Sequence, residues 1–205
     1  MSKSVYICGD SFAVSDPEYG PCWVDMLSNQ FNITNLARVC SSNLLISMQV
    51  DQAIANDPDY IICLGTSCTR QEVRFNNTIV PYSIHSIDDT TQFSMPQRKL
   101  LRNYVSEFFD LEVSIYQSKC IIENTLQKLI NSNIPFKFDQ GGFEHKSFAN
   151  AGAQYFEQYQ NFIADINLWD YPVTKTFRPF YHITELATHT MIAEYYTNLI
   201  ERINE

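Results

Sequence analysis

The chain lacks the marks of a secreted or membrane-spanning protein. Its first residues run directly into the apolar segment Val5–Cys8, without the long apolar stretch and small-residue cleavage site of a signal peptide. No apolar run is long enough to span a membrane. We therefore expect a cytoplasmic protein with no membrane partner, whose six cysteines are reduced thiols rather than a disulfide framework.

Basic residues are scarce, with 14 Lys and Arg against 23 Asp and Glu and a net charge of −9. Nucleic-acid binding draws most of its affinity from Lys and Arg that neutralise phosphates, so we expect no nucleic-acid partner. No low-complexity tract, internal repeat or metal-ligand spacing is visible, and we expect neither a metal nor a cofactor. A chain of 205 residues that is 45% hydrophobic favours one domain over residues 1–205.

Short apolar segments alternate with longer helical ones, which predicts βαβ units and a mostly parallel sheet. Strands are predicted at Val5–Cys8, Phe31–Leu36, Tyr60–Leu64 and Pro135–Asp139. Helices are predicted at Cys22–Asn29, Asn43–Asn56, Glu185–Ile203 and Pro96–Asn131, the last as one helix or as two joined by a kink. The segments 71–95 and 139–180 fit no single pattern, apart from a helix-like stretch at 151–169. Long segments of this kind are often functional loops.

Small polar residues follow each of the first three predicted strands. The motifs are Gly9-Asp10-Ser11-Phe12, Asn35-Leu-Ala-Arg-Val-Cys40-Ser-Ser-Asn43 and Leu64-Gly65-Thr66-Ser67-Cys68. The carboxyl ends of parallel strands form one edge of an open α/β sheet, and ligands bind there. We therefore expect Ser11, Cys40 and Ser67 to converge at that edge. Taken alone, the first motif is equally typical of a turn that ends a strand.

In this order the three motifs resemble those of the SGNH (GDSL) hydrolase family, and the chain is identified as a divergent member. The resemblance implies a flavodoxin-like, doubly wound, mostly parallel sheet in a three-layer α/β/α sandwich. It implies that Ser11 is the nucleophile and that Ser11, Cys40 and Ser67 stabilise the oxyanion. The family has glycine at the position of Cys40, whose backbone amide survives the change if its φ and ψ suit a residue with a Cβ. It has asparagine at the position of Ser67, whose side chain is shorter; Thr66 is the alternative donor.

His182 stands just before the last predicted helix, where the family has its catalytic histidine. The resemblance therefore implies that His182 is the general base, a role that suits histidine at neutral pH. The family's acid lies three residues earlier, and this chain has Pro179 there, which carries no carboxylate. Asp170 is our first choice for the orienting acid, with Glu185 and the main-chain carbonyl of Pro179 as alternatives.

Further polar residues border the same motifs. We expect Asp10, Thr66 and Arg70 to bind substrate, with Arg70 meeting a carboxylate or a sugar hydroxyl, although a structural arginine is the ordinary alternative. Cys8 and Cys63 are typical of small buried hydrophobic residues.

Two functions of different classes fit these residues. The first is a serine esterase that removes an acyl group, such as acetyl, from a carbohydrate or another small ester, without a cofactor. The second is a catalytically weakened relative kept as a carbohydrate-binding or structural module of an oligomer or larger assembly, for example a virion. The departures at Cys40, Ser67 and Pro179 motivate the second, and the sequence favours the first.

Overall fold

Strands and helices alternate along residues 2–15, 20–75, 77–85, 87–88, 92–139, 157–166, 168, 183 and 185–204, which the computed structural model describes. The strands are β1 (Ser4–Cys8), β2 (Asn32–Asn35), β3 (Tyr60–Leu64), β4 (Arg70–Phe75), β5 (Thr78–Ser83) and β6 (Phe136–Asp139). The helices are α1 (Trp23–Leu27), α2 (Asn43–Ile54), α3 (Met95–Phe108), α4 (Leu111–Ser132) and α5 (Leu186–Glu201). Short 3₁₀ helices cover Ser11–Ala13, Glu157–Phe162 and Arg202–Asn204.

Four of these strands form a parallel sheet in the order β2-β1-β3-β6. Val5 of β1 pairs with Ile33 on one side and with Tyr60 on the other. The chain runs outward from β1 to β2 and then returns to β3 on the opposite side, so the strand order reverses between β1 and β3. In open α/β sheets this switch point is where ligands bind. The predicted parallel sheet is confirmed.

Alternate side chains of the sheet pack into two hydrophobic cores, one on each face. Val5 and Ile7 share a core with Trp23 of α1 and Tyr196 of α5, whose rings stack with centroids 5.1 Å apart. The other core contains residues of the sheet, α2 and α4, namely Cys8, Ile61, Cys63, Ile46, Val50, Leu126 and Leu129. The sheet therefore lies between two helical layers, as the three-layer sandwich requires.

The segment predicted as Pro96–Asn131 forms two helices, the second of the two alternatives. α3 ends at Phe108, and the side chain of Asp110 accepts a hydrogen bond from the amide of Val113 at 2.9 Å, which caps the start of α4. α4 ends at Asn133, whose φ of 59° is the left-handed conformation common after helices.

The segment 71–95, which matched no pattern in the sequence, contains most of an antiparallel hairpin of β4 and β5. The hairpin packs against α3 through a small core that includes Tyr82, Phe93 and Leu101. Because β5 contains Pro81 and is partly exposed, the sequence lacks the pattern of a buried strand.

None of the six cysteines forms a disulfide, and all six lie in the described part of the chain. Cys8 and Cys63 are fully buried, and burial raises the pKa of both thiols. They are therefore core residues and not nucleophiles, as expected. Among the described residues, no helix combines the length and the apolar character needed to cross a membrane.

Candidate active site

Ser11, Cys40 and Ser67 follow three neighbouring strands of the sheet. β1 lies between β2 and β3, and all three run parallel, so the loops that follow them leave from the same edge. The topology thus places the three residues after neighbouring parallel strands, at the edge where we predicted them to converge.

The turn after β1 is bound to α2 through Gly9. The Gln49 side chain accepts a hydrogen bond from the Gly9 amide at 2.7 Å and donates to the Gly9 carbonyl and to Ser41 Oγ, each at 3.2 Å. A Cβ on Gly9 would lie 3.0 Å from the side chain of Leu64, so any larger residue would require Leu64 to shift by a few tenths of an ångström. Gln49 thereby joins the loops that follow β1 and β2, a role that the sequence analysis did not assign.

Asp10 is fully buried and accepts hydrogen bonds from two neighbouring loops. Its carboxylate accepts from the Phe12 amide at 3.0 Å, which caps the 3₁₀ helix that begins at Ser11. It also accepts from the Thr66 hydroxyl at 2.6 Å, and Arg70 Nη2 lies 3.6 Å from it. Asp10 therefore joins the loops after β1 and β3, and these contacts satisfy a carboxylate that would otherwise be costly to bury.

Ser11 lies at the first position of that 3₁₀ helix and is only 6% exposed. Two side chains hold the helix from outside. Trp23 Nε1 donates to the Phe12 carbonyl at 2.8 Å, and Asn35 Nδ2 donates to the Ala13 carbonyl at 2.7 Å. The backbone that carries Ser11 is therefore fixed by side chains from α1 and β2.

Cys40 occupies the third position of a turn closed by the Ser41 amide, which donates to the Arg38 carbonyl at 3.2 Å. Its φ is 64°, in the left-handed region that glycine adopts without strain. A cysteine thus adopts a backbone conformation that favours glycine, at a cost of about 1–2 kcal/mol.

Ser67 is held within its own turn. Its Oγ lies 2.8 Å from Thr69 Oγ1 and accepts from the Thr69 amide at 3.2 Å. The preceding residue, Thr66, is fixed by Asn43, which accepts from the Thr66 amide at 3.0 Å and donates to its carbonyl at 2.9 Å. Asn43 closes the second motif, but no pattern in the sequence indicates that its side chain binds the third.

Arg70 extends from the start of β4 toward Asp10. Its side chain is 19% exposed, and its Nη1 atom is buried without a hydrogen-bond partner in the described part of the protein. Arg70 also lines a cavity of about 50 Å³, together with Ser42, Asn43, Glu72 and Ser114. Burial raises the pKa of Glu72, and a hydrogen bond with Ser42 opposes that shift. The cavity is lined by polar groups and has room for one small polar substituent.

His189 fixes the backbone next to the predicted base. The Trp23 amide donates to its Nδ1 at 3.3 Å, so the ring proton is on Nε2, which donates to the Ile183 carbonyl at 3.0 Å. Burial lowers the pKa of His189, which keeps the ring neutral. His189 therefore links α1, α5 and the residue that follows His182.

His182, Asp170 and Pro179 lie outside the described residues, so their predicted roles stay predictions. Of the alternatives for the acid, Glu185 is exposed at the start of α5.

A further buried carboxylate, Asp139, ends β6 at the same edge of the sheet. It accepts a hydrogen bond from the Tyr196 hydroxyl at 3.2 Å, and burial together with this carboxylate raises the pKa of Tyr196. Within the described residues, no group of three or more His, Cys, Asp or Glu could hold a metal ion.

The fold and the residues at the carboxyl edge of the sheet define the class of this protein. It is a doubly wound α/β domain with a serine at its switch point. By sequence, no model of a protein family and no curated protein matches the chain. Two solved structures share its fold over nearly its full length. The psychrotrophic esterase EstA from Pseudoalteromonas sp. has a TM-score of 0.55 at 12% identity, covering 99% of this chain and 100% of its own. A protein from Lactobacillus plantarum has a TM-score of 0.52 at 15% identity, covering 98% of each chain.

A third structure, AlinE4, is described as an SGNH-hydrolase family esterase. It has a TM-score of 0.45 at 13% identity, covering 98% of this chain and 96% of its own. The flavodoxin-like fold expected from the sequence is confirmed by the strand order and by EstA.

Proposed function

We propose that the chain is a serine ester hydrolase of the SGNH type with Ser11 as its nucleophile. The observation that carries this proposal is the position of Ser11 after the central strand, at the switch point, between the loops of Cys40 and Ser67. Ligands of open α/β sheets bind at this place. EstA, which shares the fold, is an esterase.

In the proposed reaction Ser11 Oγ attacks the ester carbonyl carbon while its proton passes to His182. The amides of Ser11 and Cys40 and the hydroxyl of Ser67 stabilise the negative charge that forms on the carbonyl oxygen. The carbon–oxygen bond to the alcohol then breaks, the alcohol takes the proton from His182, and the acyl group stays on Ser11. Water attacks this acyl-enzyme with His182 as base, releasing the acid and restoring Ser11.

The ring of His182 needs an acceptor for its second nitrogen. We propose Asp170 for this role, with Glu185 and the carbonyl of Pro179 as alternatives, within about 3.2 Å of that nitrogen. If Asp170 orients the ring, Asp170→Asn lowers kcat by up to about 10⁴-fold. Unchanged hydrolysis in Asp170→Asn, with none in His182→Ala, would exclude Asp170 and favour a dyad oriented by the backbone.

We propose that the substrate is a small ester, such as an acetylated carbohydrate, and that Arg70 binds a polar group near the reacting bond. The Nη1 atom, which has no hydrogen-bond partner among the described residues, and the small polar cavity that Arg70 lines support this role. Asp10 and Thr66 are already bonded to each other, so we propose that they act on substrate indirectly, by holding Ser11 and Arg70 in place.

The test of Arg70 compares esters with and without a free carboxylate. Because a hydrogen bond to a charged group contributes about 1.5–3 kcal/mol, Arg70→Gln should lower kcat/KM for the acidic ester by roughly tenfold to a hundredfold more than for the neutral one. Arg74→Gln, on an exposed arginine of the same strand, is the matched control and should change neither. An equal loss for both esters would assign Arg70 to structure alone.

The central experiment is active-site labelling. The structure of EstA was solved inhibited by monoethylphosphonate, so a fluorophosphonate probe is the appropriate reagent. Wild-type protein should be labelled and should hydrolyse short-chain esters, whereas Ser11→Ala should do neither. Ser28→Ala, remote from this edge of the sheet, serves as the control. Labelling that persists in Ser11→Ala would rule out Ser11 as the nucleophile.

The second candidate function is a carbohydrate-binding or structural module, for example in a virion. The hydrogen bond between the Ser67 and Thr69 hydroxyls favours it, because one proposed oxyanion donor is occupied in the arrangement in which Ser67 donates. Losing such a donor costs about 10²- to 10³-fold in rate. Binding of glycans by wild-type protein that is neither labelled nor active on any short-chain ester would establish this function in place of the esterase.

A further inference from the structure

α3 carries two rows of apolar side chains on adjacent sides, one buried and one exposed. Leu101 and Val105 face inward and pack on the β-hairpin. Leu100, Tyr104 and Phe108 recur every fourth residue on the outer side, where they are 70%, 54% and 73% exposed. The rings of Tyr104 and Phe108 have centroids 5.7 Å apart, so these residues form one continuous row, here called the α3 stripe.

The α3 stripe is a larger apolar surface than a single exposed leucine would be. Covering an aromatic side chain buries roughly 150–250 Å², and monomeric proteins seldom leave contiguous apolar patches of more than a few hundred Å² exposed. Exposed apolar residues continue at the start of α4 with Leu111, Val113 and Tyr116. A stable interface buries roughly 800 Å² per partner, so the stripe would form its centre and the neighbouring surface the remainder.

A row of polar residues next to the α3 stripe shows what can cover it. Lys99, Asn103 and Glu107 are exposed and also four residues apart. Lys99 and Glu107 are separated by about 12 Å along the helix axis, too far to pair with each other. Within the described residues neither forms an ion pair. The two opposite charges are thus unpaired and lie symmetrically about Asn103.

We propose that the α3 stripe binds a second copy of this chain, with the two α3 helices antiparallel and a twofold axis near Asn103. In this arrangement Lys99 faces the partner's Glu107 twice, and Leu100 packs against the partner's Phe108. Antiparallel helix dipoles also attract each other. The contact uses the same patch on both copies, as closed dimers do.

Charge argues against a membrane as the occupant. Helices that bind a membrane surface carry free Lys and Arg beside the apolar face, whereas this row ends in Glu107 and the chain has a net charge of −9. The two arginines of α3 are bonded to the preceding segment instead, Arg98 to the Phe93 and Asp88 carbonyls and Arg102 to the Asp88 carboxylate. Because a twofold axis near Asn103 brings each charge beside the opposite charge of the partner, the second copy explains the pattern without any further partner.

The experiment is a charge swap followed by analytical ultracentrifugation over about a hundredfold range of concentration. Wild type should dimerise. Lys99→Glu and Glu107→Lys each place like charges opposite each other twice and should raise the dissociation constant by about tenfold or more. The double variant restores both pairs and should return the constant to within about threefold of wild type.

Glu194→Lys, an exposed glutamate on α5, makes the same charge change elsewhere and should leave dimerisation unaltered. All the substituted side chains are exposed, and circular dichroism confirms that each variant is folded. A monomeric wild type would overturn the proposal, as would a dimer that both single substitutions leave unchanged. Failure of the double variant to recover would also overturn the antiparallel register. None of these outcomes depends on whether the chain hydrolyses esters.

Discussion

The imidazole of His189 donates its Nε2 proton to the carbonyl oxygen of Ile183, the residue that directly follows His182. Its other nitrogen accepts from the Trp23 amide, so one ring connects the start of α1 to the chain that carries the predicted base. A general base must be held within hydrogen-bond reach of its nucleophile, and small displacements of the base lower the reaction rate strongly. We infer that His189 is a positioning residue for His182.

Removing this ring should therefore impair catalysis more than folding. We expect His189→Ala to lower kcat by roughly tenfold to a hundredfold, because a misplaced base costs about that much. His189→Gln retains a donor for the Ile183 carbonyl and should recover most of the rate. Equal kcat in the wild-type and Ala proteins, measured on the same short-chain ester, would show that His182 is held by other contacts.

The buried ring also makes stability depend on pH. Burial lowers the pKa of His189 below its ordinary value of 6.5, so between the two pKa values the unfolded chain binds more protons than the folded one. The contribution of the neutral ring is complete above about pH 6.5 and is lost as the pH falls toward the pKa of the folded state. Urea unfolding should show a smaller loss of stability on acidification in His189→Gln than in wild type; identical losses would contradict this.

The close approach of Gly9 to Leu64 predicts a packing defect on adding one methyl group. A Cβ at position 9 would lie 3.0 Å from Leu64 Cβ and Cδ1, so Gly9→Ala should lower the free energy of unfolding by about 1–3 kcal/mol. Trimming the partner relieves part of this clash, and the Gly9→Ala, Leu64→Ala double variant should be more stable than the summed single effects predict. Strict additivity in urea titrations would mean that the backbone absorbs the methyl group elsewhere.

Apolar strands and the residues that follow them were predictable from the sequence, because buried parallel strands are continuous apolar runs and their carboxyl ends share one edge. The roles of Gln49 and Asn43 could not be predicted from the sequence. A polar residue on the buried side of a helix shows that some partner exists, but only the folded chain shows that the partner is Gly9 or Thr66. The hairpin also escaped prediction, because its strands are partly exposed, lie outside the main sheet and include Pro81, a residue that is unusual in strands.

Replacement of Cys40 by glycine should preserve both the fold and the esterase activity. Its φ of 64° is strained for a residue with a Cβ, so Cys40→Gly relieves strain, although glycine also gives the unfolded chain more freedom. We expect unfolding free energy to rise by about 0.5–1 kcal/mol and esterase activity to stay within about tenfold, because only the amide is required. Cys40→Ala keeps the Cβ but removes the thiol, so it separates relief of backbone strain from loss of the thiol. It should leave the free energy of unfolding near that of wild type. An equal gain in both variants would attribute the effect to loss of the thiol.

We expect the hydrogen bond from the Thr66 hydroxyl to the Asp10 carboxylate to stabilise the candidate active site. At 2.6 Å it is short, and it joins a hydroxyl to a fully buried carboxylate whose other contacts are the Phe12 amide and Arg70. Thr66→Val preserves the shape and removes the donor, so it should lower the free energy of unfolding by about 1.5–3 kcal/mol. Thr66→Ser keeps a hydroxyl and should lose less than half as much.

Thr66→Val should also slow the labelling of Ser11 by a fluorophosphonate, because Asp10 caps the short helix on which Ser11 lies. Thr69→Val is the matched control. It also removes a hydroxyl from this loop, but that hydroxyl is bonded to Ser67 and not to Asp10. If Asp10 transmits the effect, Thr66→Val reduces both stability and labelling rate while Thr69→Val reduces neither by a comparable amount. Should Thr66→Val lose stability but react with the probe at the wild-type rate, the Asp10 network would support the fold without positioning the nucleophile.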